Sequence, residues 1–153
     1  MALTYPWRLK RPSMHRVLTA KCRAAEAIAE PWWPVRVSDH EIEMAVTEGD
    51  IVIGVCENGN ADVAEDTYPL VVIIDDDVVY EVQLDTGEAV DMFDYVMISD
   101  AANGSVALLA APAEAGTNYA CGIVIDYSPA TAGLAHIVPV FWSNDASLTT
   151  EYQ

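Results

Sequence analysis

From residue 35 onward the sequence is a succession of short Val- and Ile-rich runs separated by turn signals, and this pattern constrains the fold most. The runs at 42–46, 51–55, 70–74, 78–84, 95–98, 105–110, 119–125 and 135–142 have strand length and β-branched content. Between them stand Glu48-Gly49-Asp50, Asn58-Gly59-Asn60, Asp75 with Asp76 and Asp77, Thr86-Gly87-Glu88 and Asn103-Gly104, all chemistry suited to tight turns. No helical periodicity of useful length appears after residue 35, so a βαβ plan is excluded and an all-β sandwich or barrel is predicted. Prolines in the runs at 70–74 (Pro69 just before it) and 135–142 (Pro139) predict edge positions, because proline cannot donate to a ladder.

The first 34 residues read differently. At 1–12, Pro6 and Pro12 disfavour helix, and Tyr5 and Trp7 are interleaved with Arg8, Lys10 and Arg11, which predicts an extended arm suited to docking. At 13–30, a possible Ser13 cap and the spacing of Met14, Val17, Leu18, Cys22, Ala25, Ile28 and Ala29 predict a short helix. Arg16 in its first turn and Glu26 and Glu30 near its end oppose the helix dipole, so it needs packing to persist. Pro31-Trp32-Trp33-Pro34 reads as a stiff aromatic hinge. The predicted division is therefore an arm with a short helix over 1–34 and an acidic β domain over 35–153, the latter expected to fold without the former.

Charge divides the chain at almost the same place. All seven Lys and Arg residues lie within the first 36 positions, beside only Glu26 and Glu30, a surplus of +5. The remaining 22 acids face no Lys or Arg at all, and the whole chain carries −17. Such a body lacks the cations that phosphate binding needs, so direct nucleic-acid binding is not expected. Two readings of the acidity stand: a surface adapted to very high salt, as in a halophilic host, or one that sits against basic partners.

Other function classes are narrowed by what the sequence does not spell. Apolar runs such as 70–74 are far shorter than the roughly 20 residues of a membrane helix, so no membrane partner is expected. The N-terminus lacks an apolar stretch followed by a small-residue cleavage site, so a cleavable secretion signal is not expected. There is no Gly-x-Ser-x-Gly elbow, phosphate loop or dinucleotide fingerprint, and His15, His40 and His136 join no legible nucleophile, so no enzyme and no cofactor are expected. Cys22, Cys56 and Cys121 are far apart and form no zinc spacing; buried free thiols are expected, with one disulfide as the alternative. Asp75, Asp76 and Asp77 are weak candidates for a cation, better read as a solvated turn, since neighbours on an extended chain point to opposite faces. Met and aromatic residues within 91–97 are expected to fill the core.

The order of features over 87–142 resembles a known family. Gly87-Glu88-Ala89-Val90 and Phe93-Asp94-Tyr95-Val96 lead into a strand, Ala102-Asn103-Gly104 turns the chain, and Ala115-Gly116-Thr117 precedes Ala120-Cys121-Gly122-Ile123-Val124. A small-residue loop over 129–133 then precedes the last apolar strand. This is similar to the small β domains of capsid decoration (cement) proteins of tailed double-stranded DNA viruses. The resemblance implies a non-enzymatic protein on the outer capsid surface of a virion, a trimer or dimer that binds the major capsid protein and its neighbours through an N-terminal arm. The contact residues it implies are Tyr5, Trp7, Arg8, Lys10, Arg11, Arg16, Trp32 and Trp33, with the tryptophans as anchors. The alternative is an acidic binding module that mimics nucleic acid or engages a basic protein.

Overall fold

The computed structural model describes residues 6–11, 17–19, 33–38, 41–56, 70–73, 78–101, 103–109, 118–126 and 133–140. They form β1 (Trp7–Arg11), β2 (Val17–Thr19), β3 (Trp33–Ser38), β4 (Glu41–Met44), β5 (Gly54–Cys56), β6 (Leu70–Ile73), β7 (Val79–Gln83), β8 (Tyr95–Ile98), β9 (Val106–Leu108), β10 (Gly122–Asp126) and β11 (Leu134–Pro139). No helix occurs among the described residues. One sheet has the order β1-β7-β11-β10-β8-β9 and the other β2-β6-β5-β3-β4. Every strand pairing is antiparallel. The protein is all-β among its described residues, as its patterning predicts, and each of the eight expected runs overlaps a strand.

Alternation builds the core. Along β7 and just beyond it, Tyr80, Val82 and Leu84 are buried, while Val79, Glu81 and Gln83 are only half-buried. On the neighbouring β11, Ala135 and Ile137 turn inward and stand opposite Val82 and Tyr80. Residues of the second sheet and its loops, Ala45, Val52 and Val55, join the same buried cluster, so the two sheets share a core. A smaller cluster of Val35, Ile42 and Cys56 lies within the second sheet, packed by Trp33, Met44 and Ile53.

The larger sheet curls back on itself. At the end of β7 the Leu84 amide donates to Gly133 O at 2.8 Å, and the next amide, Asp85, donates to Val106 O at 2.9 Å. Leu84 thereby bridges β9, with a parallel contact to Val106. Glu88 then reaches across, and its Oε2 accepts the Leu108 amide at 3.1 Å. The loop after β4 is tied to this sheet by two bonds of Gly49, whose amide donates to Ile98 O and whose carbonyl accepts the Tyr119 amide, both at 2.9 Å. Gly49 has φ +69°, and a Cβ there would lie 2.4 Å from Asn118 Cα, so only glycine fits.

The N-terminal segment departs from expectation. The extended arm is a strand of the larger sheet, pairing Trp7 with Val82, Arg8 with Glu81 and Leu9 with Tyr80. Its period-two alternation explains this: Trp7 points into the core while Arg8 and Lys10 stay exposed. Trp7 is fully buried, packs edge-on against Tyr80 with ring centroids 5.3 Å apart, and donates its indole N–H to Gly104 O at 3.0 Å. The turn that offers this carbonyl is fixed by its own chemistry, since Asn103 Oδ1 accepts the Ser105 amide at 3.0 Å and Ser99 and Ser105 share a buried hydroxyl bond of 2.8 Å.

Three further expectations are corrected. Within the span read as helix, 17–19 form β2, pairing Val17 with Val72 and Leu18 with Val71. The β-branched Val17 and Thr19 suit a strand, and the charges at 13–30 oppose a helix; 13–16 and 20–30 lie outside the described residues. The aromatic hinge is likewise strand at Trp33 and Pro34, so the boundary drawn at 34/35 falls inside β3. The prolines do not mark edges either: β6 lies between β2 and β5, and β11 between β7 and β10. Pro139 is tolerated because pairing with β7 ends at Ile137, and Pro69 precedes β6.

Trp7→Ala is expected to lower the stability of the full-length protein by about 3–5 kcal/mol in equilibrium urea unfolding, as for other buried aromatic truncations. Arg8→Ala, at an exposed position, is expected to change it by less than about 0.5 kcal/mol.

Candidate interaction surfaces

The outer face of the larger sheet carries one row of charge. The register sets Arg8 of β1 opposite Glu81 of β7, Glu81 opposite His136 of β11, and His136 opposite Asp126 of β10, so four strands contribute to one face. His136 Nε2 is 3.0 Å from Glu81 Oε2, and its Nδ1 is 3.5 Å from Asp126 Oδ2. Lys10 Nζ approaches Glu81 Oε2 at 3.7 Å and Arg8 Nη1 approaches Oε1 at 3.9 Å. Glu81 is thus the hub of the row. Arg8 remains 64% exposed, so its pair holds little energy in water. The row sets Arg8 and Lys10 of β1 beside Glu81 on the face of the sheet.

A second charge cluster fastens the smaller sheet. Arg36 of β3 faces Glu43 of β4, its register partner, and pairs with it through Nη2. Its Nη1 meets Asp50 Oδ1 at 2.8 Å. Asp50 Oδ2 also accepts the amides of Val46 and Thr47, at 3.0 and 2.9 Å, which shapes the loop leading to Gly49. Glu43 is 1% exposed, so its carboxylate depends on a nearby cation. Arg36→Met is expected to cost about 3–5 kcal/mol by urea unfolding, because it strands a buried charge. Adding Glu43→Gln to that variant is expected to recover part of the loss, the signature of a coupled pair.

The apolar side chains left outside are Val37, Met92 and Phe93, the large hydrophobic residues exposed among those described. Met92 and Phe93 form one feature, a turn between Asp91 and Asp94 at 55% and 72% exposure. Asp94 Oδ2 accepts the Asp91 amide at 2.7 Å, and the Asp94 amide donates to Asp91 O at 3.1 Å. The Phe93 amide donates to Val124 O at 2.7 Å, and the Val124 amide donates back to Asp94 O at 2.9 Å, which pins the turn to β10. Phe93 holds φ +75°, alone among non-glycine residues described. A bulky side chain there is strained by roughly 1–3 kcal/mol. Of the 91–97 segment expected to be core, Met97 is buried, but Met92 and Phe93 are not. The turn bonds of Asp91 and Asp94 hold these two side chains out.

The residues singled out from sequence scatter. Trp7 is core; Arg8 and Lys10 serve Glu81; Arg11 lies in β1 and half-buried Trp33 in β3. Tyr5, Arg16, Trp32, His15, His40, Asp75, Asp76 and Asp77 lie outside the described residues. No group of three or more His, Cys, Asp and Glu side chains able to hold a metal ion occurs among the described residues. The sequence signal for the exposed turn was present in Asp91-Met92-Phe93-Asp94, an Asp-flanked pair, but was outweighed by its hydrophobic content.

Comparison with protein-family models matches no family, and comparison with curated proteins finds no match.

Cys56 and Cys121 are buried thiols outside any disulfide, as the sequence reading expects of them. Burial pushes the Cys121 thiol far above the ordinary range, so its reactive thiolate is suppressed. Native protein is expected to leave Cys56 and Cys121 unlabelled by iodoacetamide at pH 8, with both labelled in urea, as read by peptide mass spectrometry.

Proposed function

We propose that this protein is a non-enzymatic structural component of a virion, one that decorates and stabilises the outer face of a capsid. It does so as an oligomer, a trimer or dimer, with the major capsid protein as its partner. The observation that supports this reading is the disposition of charge. The three Lys and Arg side chains described, Arg8, Lys10 and Arg36, each pair with a carboxylate of the same body. No Lys or Arg occurs after Arg36, and an acidic body of that kind is suited to contact with basic protein groups and repels phosphate. The resemblance over 87–142 supplies the capsid context.

The contact set is narrower than the sequence implied. Trp7 drops out, because its ring belongs to the core. Tyr5, Arg8, Lys10, Arg11, Arg16, Trp32 and Trp33 remain in the proposal as contacts. The same acidity also favours the second reading, a module that engages a basic protein or mimics nucleic acid.

Particles banded from the source of this chain, analysed by quantitative mass spectrometry, separate the two. Many copies per particle beside a major capsid protein are the expected result. A soluble protein absent from particles, recovered with a basic DNA-binding protein, overturns the capsid reading in favour of the acidic module.

A further inference from the structure

We propose that the Met92-Phe93 turn is a docking tip that inserts into an apolar pocket rimmed by Lys or Arg on the capsid partner. This rests on the reading above and adds to it a contact that lies outside the N-terminal segment.

Three observations converge on the turn. Phe93 is the most exposed of the large hydrophobic side chains described and takes no part in the buried core, so the fold gains nothing from its ring. Its backbone occupies the left-handed region, where glycine or asparagine would be free of strain. A fold optimised for stability alone would place one of those there; an aromatic held in that conformation fits a contact made elsewhere. The turn is also rigid, since four hydrogen bonds join Asp91, Phe93, Asp94 and Val124. A preorganised aromatic beside a methionine loses little freedom on binding, which suits an interface anchor.

Charge selects the occupant. Asp91, two positions before Phe93, is exposed, Glu88 and Asp94 are near it in sequence, and no Lys or Arg occurs after Arg36. A symmetric contact between two copies at this turn would bring Asp91 against Asp91. A nucleic acid would meet carboxylates. A pocket with an apolar floor and a cationic rim complements the tip on both counts.

The test uses the full-length protein and particles purified from its source and stripped of this chain. Rebinding is measured by co-sedimentation for wild type, Phe93→Gly, Phe93→Asn and Asp91→Asn. Both Phe93 variants are expected to melt at or above the wild-type temperature, because the left-handed strain is relieved, and to bind about thirtyfold more weakly. Asp91→Asn is expected to weaken binding a few-fold at about 0.1 M salt and to match wild type at about 1 M, where the rim is screened. Folded Phe93 variants that rebind like wild type overturn the docking tip and leave the decoration reading standing. Wild type that fails to rebind overturns both. Wild type that self-associates in sedimentation velocity, with Phe93→Gly monomeric, shows a second copy to be the occupant and overturns the cationic pocket.

Discussion

The indole of Trp7 joins three parts of the chain that are remote in sequence. Its strand adds to the rim of the larger sheet, its ring lies on Tyr80 in the shared core, and its N–H satisfies the carbonyl of Gly104, 97 residues away. Without the ring, the core would open where β1 covers it. Without the N–H, a carbonyl in the 103–105 turn would lose its donor where water has little access. β1 is therefore a structural member of the larger sheet, with Arg8 and Lys10 turned to Glu81 and Trp7 facing inward.

Charge in this protein has two distinct uses. Within the sheets it acts locally: Glu81 gathers Arg8, Lys10 and His136 across adjacent strands, and Arg36 bridges Glu43 to the loop that Asp50 organises. Outside them it acts at longer range, as an excess of carboxylates with no cation after Arg36. The first use orients strands, and the second selects which surfaces can approach. Among the described residues the large energetic weight lies with Arg36 and its two buried carboxylates, Glu43 and Asp50, because exposed pairs are screened by water and salt.

Strands with period-two alternation and glycine-bearing turns were legible from residues alone, and β8 coincides with its expected bounds at 95–98. Where the reading failed, a local signal competed with a tertiary one. The apolar residues at 13–30 fit a helical face, yet 17–19 pair with β6, a partner some fifty residues away that no local pattern announces. Interleaved aromatic and basic residues in 5–11 describe a docking arm and a half-buried strand equally well; pairing with β7 decides between them. Glu81 and His136 each look ordinary in sequence, and only the register of β7 with β11 sets them opposite one another. The exposure of Phe93 depends on hydrogen bonds to β10, thirty residues further on, so its hydrophobicity pointed the wrong way.

Exposed strand rims invite backbone pairing between molecules. The curl that carries Leu84 to β9, and the Glu88 carboxylate on the Leu108 amide, occupy hydrogen-bonding groups along that strand's outer side. A foreign strand would have to displace both before it could add there. The β9 end of the larger sheet is thus poor ground for fibre growth, since a strand arriving there meets backbone groups that already have partners.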